Sequence, residues 1–200
     1  MMIGNVLGLL VRPKTQWQRI ADKGESSLAF AIAYIAILAL LPALAWYYGT
    51  TKIGWTVGDG DVVKMTHDSS AVIIGLFYAT MVVSVCVIGY TIRWMSKTYG
   101  SDATLSNGVA VAGFSATPLF IAGAIGFFPV FWVALLISVV AVSYAVYLLF
   151  LGIPIMMKIP QERGFLFASA VIAFCLVILM MIMGGTVILW DMGAAPSFTD

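Results

Sequence analysis

The chain has 200 residues, of which 62% are apolar and only 10% charged, for a net charge of +1; an ordinary soluble domain carries roughly 25% charged residues. So little polar surface excludes an ordinary water-soluble fold, whereas lipid accepts an exterior as apolar as the interior. The near-zero charge balance leaves no global basic field for nucleic acid.

The N-terminal segment, residues 1–26, begins with an apolar stretch holding Ile3, Val6, Leu7 and Leu10 at helical spacing. It lacks the basic n-region and small-residue cleavage site of a signal peptide, so it is expected to remain in the mature protein. Arg12-Pro13 breaks the run, Pro13 can open a second short helix, and Gly24 can end it. Trp17 and Ile20 fall on one face of that helix, with Lys14 and Arg19 nearby. The expectation is two interfacial helices, either a plain anchor before the first span or a docking surface for a partner through Trp17 and Ile20.

Five apolar runs follow, at about 27–48, 71–94, 107–127, 131–151 and 164–190, each of about 20 residues or more and able to cross roughly 30 Å of hydrocarbon. Trp46, Tyr47 and Tyr48 close the first as an interfacial aromatic cluster, and Pro42 lies one turn inside it. The third and fourth runs are joined by little more than Phe128-Pro129, which predicts an antiparallel hairpin. Gly152 and Pro154 mark the expected end of the fourth helix. The predicted fold is an all-α polytopic membrane helix bundle, a single domain over 1–200, with one polar loop at 49–70. Within that loop Gly58-Asp59-Gly60-Asp61 sits between two β-prone stretches and predicts a small hairpin with an Asp-Gly turn.

Orientation follows from Lys and Arg. Arg12, Lys14, Arg19, Lys23, Arg93, Lys97, Lys158 and Arg163, eight of the ten basic residues, fall on one side of a five-span chain. The other side has only Lys52 and Lys64. The positive-inside rule puts the N-terminus in the cytoplasm and the C-terminus outside.

Candidate chemistry is sparse. No charged residue lies inside a predicted span, which argues against a proton-coupled pump but not against a facilitator for neutral solutes. The Gly-x-Gly-Asp of the loop matches the short signature of intramembrane aspartyl proteases, but no span holds a second Asp to share a proton. It also lacks the Asp/Asn series and closing Glu of a calcium loop. His67 is the only histidine, and is expected to be a solvated loop residue. Cys86 and Cys175 fall on different spans and read as small buried hydrophobes. There is no phosphate-cradling G-x-x-x-x-G-K-[ST] loop and no G-x-S-x-G elbow. No cofactor or metal site is expected.

Two stretches stand out. In span three Gly108, Ala112 and Ala116 recur every four residues, and Ala122 with Gly126 repeats the spacing; such ridges let helix backbones approach closely in lipid. Ser115, Thr117 and Pro118 add a polar bend, where Pro118 frees the carbonyl of Phe114 and a nearby hydroxyl can re-satisfy it. This bend is either a packing device or a hinge lining a small-solute path. In span four Tyr144 and Tyr147 lie one turn apart, and their hydroxyls need partners if buried.

At these two stretches the chain resembles the Yip family of Ypt/Rab-interacting membrane proteins. Gly113-Phe114-Ser115-Ala-Thr117-Pro118 is similar to the family's Gly-Tyr-x-x-x-Pro, with Phe114 where Tyr is frequent. The span-four end Tyr144…Tyr147-Leu-Leu…Gly152-Ile-Pro154 is similar too. Arg12-Pro13…Trp17…Ile20 and Ile53-Gly54-Trp55 resemble bacterial members. The resemblance implies five spans, a cytoplasmic N-terminus, a short outer C-terminus and, for a bacterial member, the inner membrane. The Rab-binding role of eukaryotic members is not carried over, because their long acidic N-terminal region and its Asp-Leu-Tyr-Gly-Pro element have no counterpart here. Three readings stand: a non-enzymatic scaffold or adaptor acting through helix–helix contacts and an unidentified protein partner or a second copy, a small-solute or ion transporter or channel working as an oligomer, and an intramembrane enzyme. The last lacks paired acid and base groups.

Overall fold

The computed structural model describes residues 2–22, 27–56 and 61–199. The expected Gly24 helix end, Lys23, the Gly58–Gly60 turn and Asp200 lie outside the described residues. Two short helices, α1 (Met2–Val11) and α2 (Pro13–Asp22), precede the bundle. The helices α3 (Leu28–Tyr48), α4 (His67–Ser96), the pair α5 (Leu105–Ser115) and α6 (Thr117–Ala122), α7 (Phe131–Met157) and α8 (Gln161–Leu189) provide five apolar segments long enough to cross a membrane. The all-α polytopic bundle expected from the sequence is the observed architecture.

Span three is the hub. Of its most apolar stretch 61% is buried, against 6–39% in the other four, and every residue from Gly108 to Ser115 is buried. A helix enclosed on all sides needs small residues where neighbours touch it, which accounts for its Gly/Ala content. The other spans turn large apolar side chains outward: Val139, Val140, Met180, Met181 and Val187 are exposed, as lipid requires.

Pro154 does not end α7. The helix continues to Met157 and stops at Lys158, in the left-handed conformation (φ 54°, ψ 43°), whose N–H donates to the Pro154 carbonyl. Pro160 then starts the turn into α8. A proline removes one donor and crowds one carbonyl; α7 accommodates both and runs six residues beyond the end expected at 151. The bend in span three is real: α5 ends at Ser115, Ala116 has φ −76° and ψ −8°, and α6 resumes at Thr117 before a 3-10 turn at Gly123–Phe127.

The polar loop forms the expected hairpin, with β1 (Trp55–Thr56) antiparallel to β2 (Val62–Met65) and Trp55 opposite Val63. A third strand, β3 (Phe198–Thr199), which no sequence pattern signals, pairs antiparallel with β2 and places Phe198 opposite Met65. Trp55 meets the Phe198 ring edge-on at 6.0 Å. The chain's last residues thus tie back to the loop, so loop and C-terminal segment occupy the same end of the bundle. His67 is the first residue of α4 rather than a loop residue, with its Nδ1 3.2 Å from the Tyr47 hydroxyl.

Candidate functional site

Helices α1 and α2 are joined through Arg12 and pack on each other as a helical hairpin. Gln16 Nε2 donates to Asn5 Oδ1 at 2.9 Å, and a Cβ on Gly8 would collide with the Gln16 side chain. The hairpin does not lie free. Trp17 is fully buried and Ile20 is 6% exposed, so the two residues expected to face a partner point into the bundle. Amphipathicity fixes which face of a helix is apolar, but not whether lipid, a partner or the protein's own bundle covers it.

What covers Trp17 is the set of motif residues that the sequence singled out. Its ring sits over Gly152 of α7, where an added Cβ would be 2.6 Å from a ring carbon. It meets Phe114 of α5 edge-on at 6.1 Å, and Phe114 in turn meets Tyr34 of α3 at 4.7 Å and 65°. Gly113 clears the Ile35 side chain of α3, which would be 2.7 Å from a Cβ there. The Tyr34 hydroxyl closes the chain of contacts with Thr117 Oγ1 at 2.7 Å, both residues almost wholly buried. Edge-on aromatic pairs at such separations add roughly 0.5–1.5 kcal/mol each beyond area burial. Pro154 packs on Gly164 at the start of α8, where a Cβ would lie 2.7 Å from the proline ring.

At the hairpin's turn, the Tyr144 hydroxyl of α7 reaches the last carbonyls of α1, Leu9 at 2.9 Å and Leu10 at 3.0 Å. The final carbonyls of a helix lack intrahelical partners, and Tyr144 supplies one. Tyr147 is half-exposed and only tilted against Tyr144, with ring centroids 5.7 Å apart. Thus Gly113, Phe114, Thr117, Tyr144 and Gly152 are brought together around one hairpin, whereas Tyr147 stands at its rim and Pro154 belongs to the α7–α8 contact.

The hydroxyls at the bend are not spent on the Phe114 carbonyl. Thr117 bonds Tyr34, and Ser115 Oγ is buried without a hydrogen-bond partner among the described residues. The Trp17 indole N–H is likewise unpartnered. Among the described residues no three His, Cys, Asp or Glu side chains come together. Tyr34→Phe would strand the Thr117 hydroxyl, and is expected to lower stability by about 1 kcal/mol. Thr117→Val added to it should restore part of the loss. Unfolding of the four proteins in mixed micelles reads the coupling; strictly additive losses would rule the hydrogen bond out as an energetic link.

The Yip1 domain family model matches residues 7–182. The inner membrane protein YohC of Escherichia coli K12 is 34% identical over 191 residues, 96% of this chain and 98% of that protein. The YohC of Escherichia coli O6:H1 matches equally. No solved structure matches. The chain therefore belongs to the Yip1 domain family of membrane-integral proteins.

Proposed function

We propose, from membership of that family, that the chain is a non-enzymatic scaffold or adaptor of a bacterial inner membrane, a single membrane domain over 1–200 with its N-terminus in the cytoplasm and its C-terminus outside. It works through helix–helix contacts, with a protein partner or a second copy meeting the basic end of the bundle. In this reading Trp17 and Ile20 position the α1–α2 hairpin instead of touching the partner themselves. The observation that carries it is the inward use of the motif residues. Phe114, Thr117, Tyr144 and Gly152 are taken up in holding the hairpin and the helices together.

A transporter working as an oligomer is the competing reading, and Ser115 is the feature that favours it: a buried hydroxyl without a partner is what a solute path would use. One pair of experiments separates the two. Crosslinking in the native membrane, followed by mass spectrometry, is expected to recover a reproducible partner joined at the basic end and lost with Trp17→Ala. Solute flux into liposomes above the empty-vesicle rate, reduced by Ser115→Ala or Thr117→Val, would reject the scaffold reading.

A further inference from the structure

At the basic end, away from the hairpin's socket, the C-terminal turns of α4 and the start of α5 flank a half-open cavity of about 740 Å³ lined by Tyr90, Arg93, Trp94, Lys97, Asp102 and Thr104. We infer that this cavity binds the headgroup of a zwitterionic phospholipid, with the phosphodiester on Arg93 and Lys97 and a primary ammonium on Asp102.

Arg93 and Lys97 are four residues apart on a continuous helical path, so their side chains rise from the same face. Neither side chain has an ion-pair or hydrogen-bond partner among the described residues, and neither has Asp102. Three uncompensated charges of both signs around one cavity match a ligand that carries both signs. A purely anionic ligand would leave Asp102 opposed to it, and a cation would leave the two basic groups opposed. Thr104 caps α5 by accepting from the Asn107 N–H, and the positive end of that helix adds to the field at the phosphate. Tyr90 and Trp94 are 57% and 70% exposed on the same face, where amphipathic rings sit at headgroup depth and cover the top of acyl chains.

The walls are held. Below the cavity Gly108 lies against the Gly89 carbonyl, so α4 and α5 touch backbone to backbone. The connecting loop is pinned by the Ser101 hydroxyl, which donates to the Met157 carbonyl at 2.8 Å, and by Tyr99, stacked on Phe167 at 4.6 Å and 4°. The Ser101 N–H donates to the Ser96 carbonyl at 3.0 Å. Asp102 is therefore carried on a loop fixed on both sides, which limits the ordering needed on binding.

Native mass spectrometry of the full chain with phospholipids of identical acyl chains tests the assignment. The ethanolamine headgroup is expected to be retained at least tenfold better than choline or glycerol headgroups. Arg93→Gln with Lys97→Gln should reduce its occupancy at least tenfold. Asp102→Asn should abolish the preference for ethanolamine over choline and glycerol while phospholipid binding persists. All three side chains are exposed, so unchanged helix content and unfolding midpoint are expected in each variant. Inorganic phosphate and phosphoethanolamine distinguish a bilayer ligand from a soluble one: neither is expected to displace the lipid. Equal retention of the three headgroups, indifference to the double substitution, or displacement by inorganic phosphate alone would overturn the proposal.

Discussion

Replacing Trp17 by alanine is expected to release the α1–α2 hairpin and to lower stability by about 3–5 kcal/mol, the range for deleting a large buried aromatic side chain. The ring fills the space over Gly152 and meets Phe114 edge-on, so its loss opens a cavity walled by α5 and α7. Trp17→Phe should be far milder, about 1 kcal/mol, because it keeps an aromatic ring and deletes an indole N–H that has no partner. Hydrogen exchange over residues 2–22 together with unfolding in mixed micelles reads both effects. Equal losses for the two variants would mean that ring packing is not what holds the hairpin.

The second large effect lies in the contact between α4 and α5. A Cβ on Gly108 would fall on the Gly89 carbonyl and close to the Arg93 N–H, and one on Gly89 would lie 2.5 Å from the Val109 Cα. The obstruction is backbone, so neither side can swing aside as a flexible side chain would. Gly108→Ala is expected to cost about 1–3 kcal/mol and Gly108→Leu more than that, through forced separation of the helices. The lost yield of folded protein in detergent, scored by size-exclusion profile and thermal midpoint, should rank unaltered, Ala, Leu. A Gly108→Leu protein as stable as the parent would contradict the backbone contact.

The spans were legible because lipid imposes a one-dimensional rule: about 20 apolar residues in a row and no charge among them. The small-residue ridge was legible for the same reason, since Gly108, Ala112 and Ala116 recur at helical spacing on the most enclosed helix. Its partner Gly89 was not, because one glycine inside an apolar run carries no periodicity. Pro154 misled through its usual meaning as a helix stop, while the actual stop, Lys158 in a left-handed conformation, has no sequence mark beyond the Pro160 that follows. The third strand is two exposed residues long and depends wholly on a partner far away in sequence. The socket for Trp17 left one usable trace: a lone glycine, Gly152, amid bulky residues on α7 marks a place where another group must come close. Which group that is only the packed helices reveal.

The central claim is that the N-terminal hairpin is docked on the bundle through Trp17. Pulsed electron paramagnetic resonance tests it most directly, with spin labels at Arg19→Cys on α2 and Lys158→Cys at the end of α7 in a Cys86→Ala, Cys175→Ala background reconstituted in lipid. A single narrow distance distribution that broadens when Trp17→Ala is added is the predicted result. A broad distribution already present with Trp17 intact would contradict it and return the hairpin to the open membrane surface.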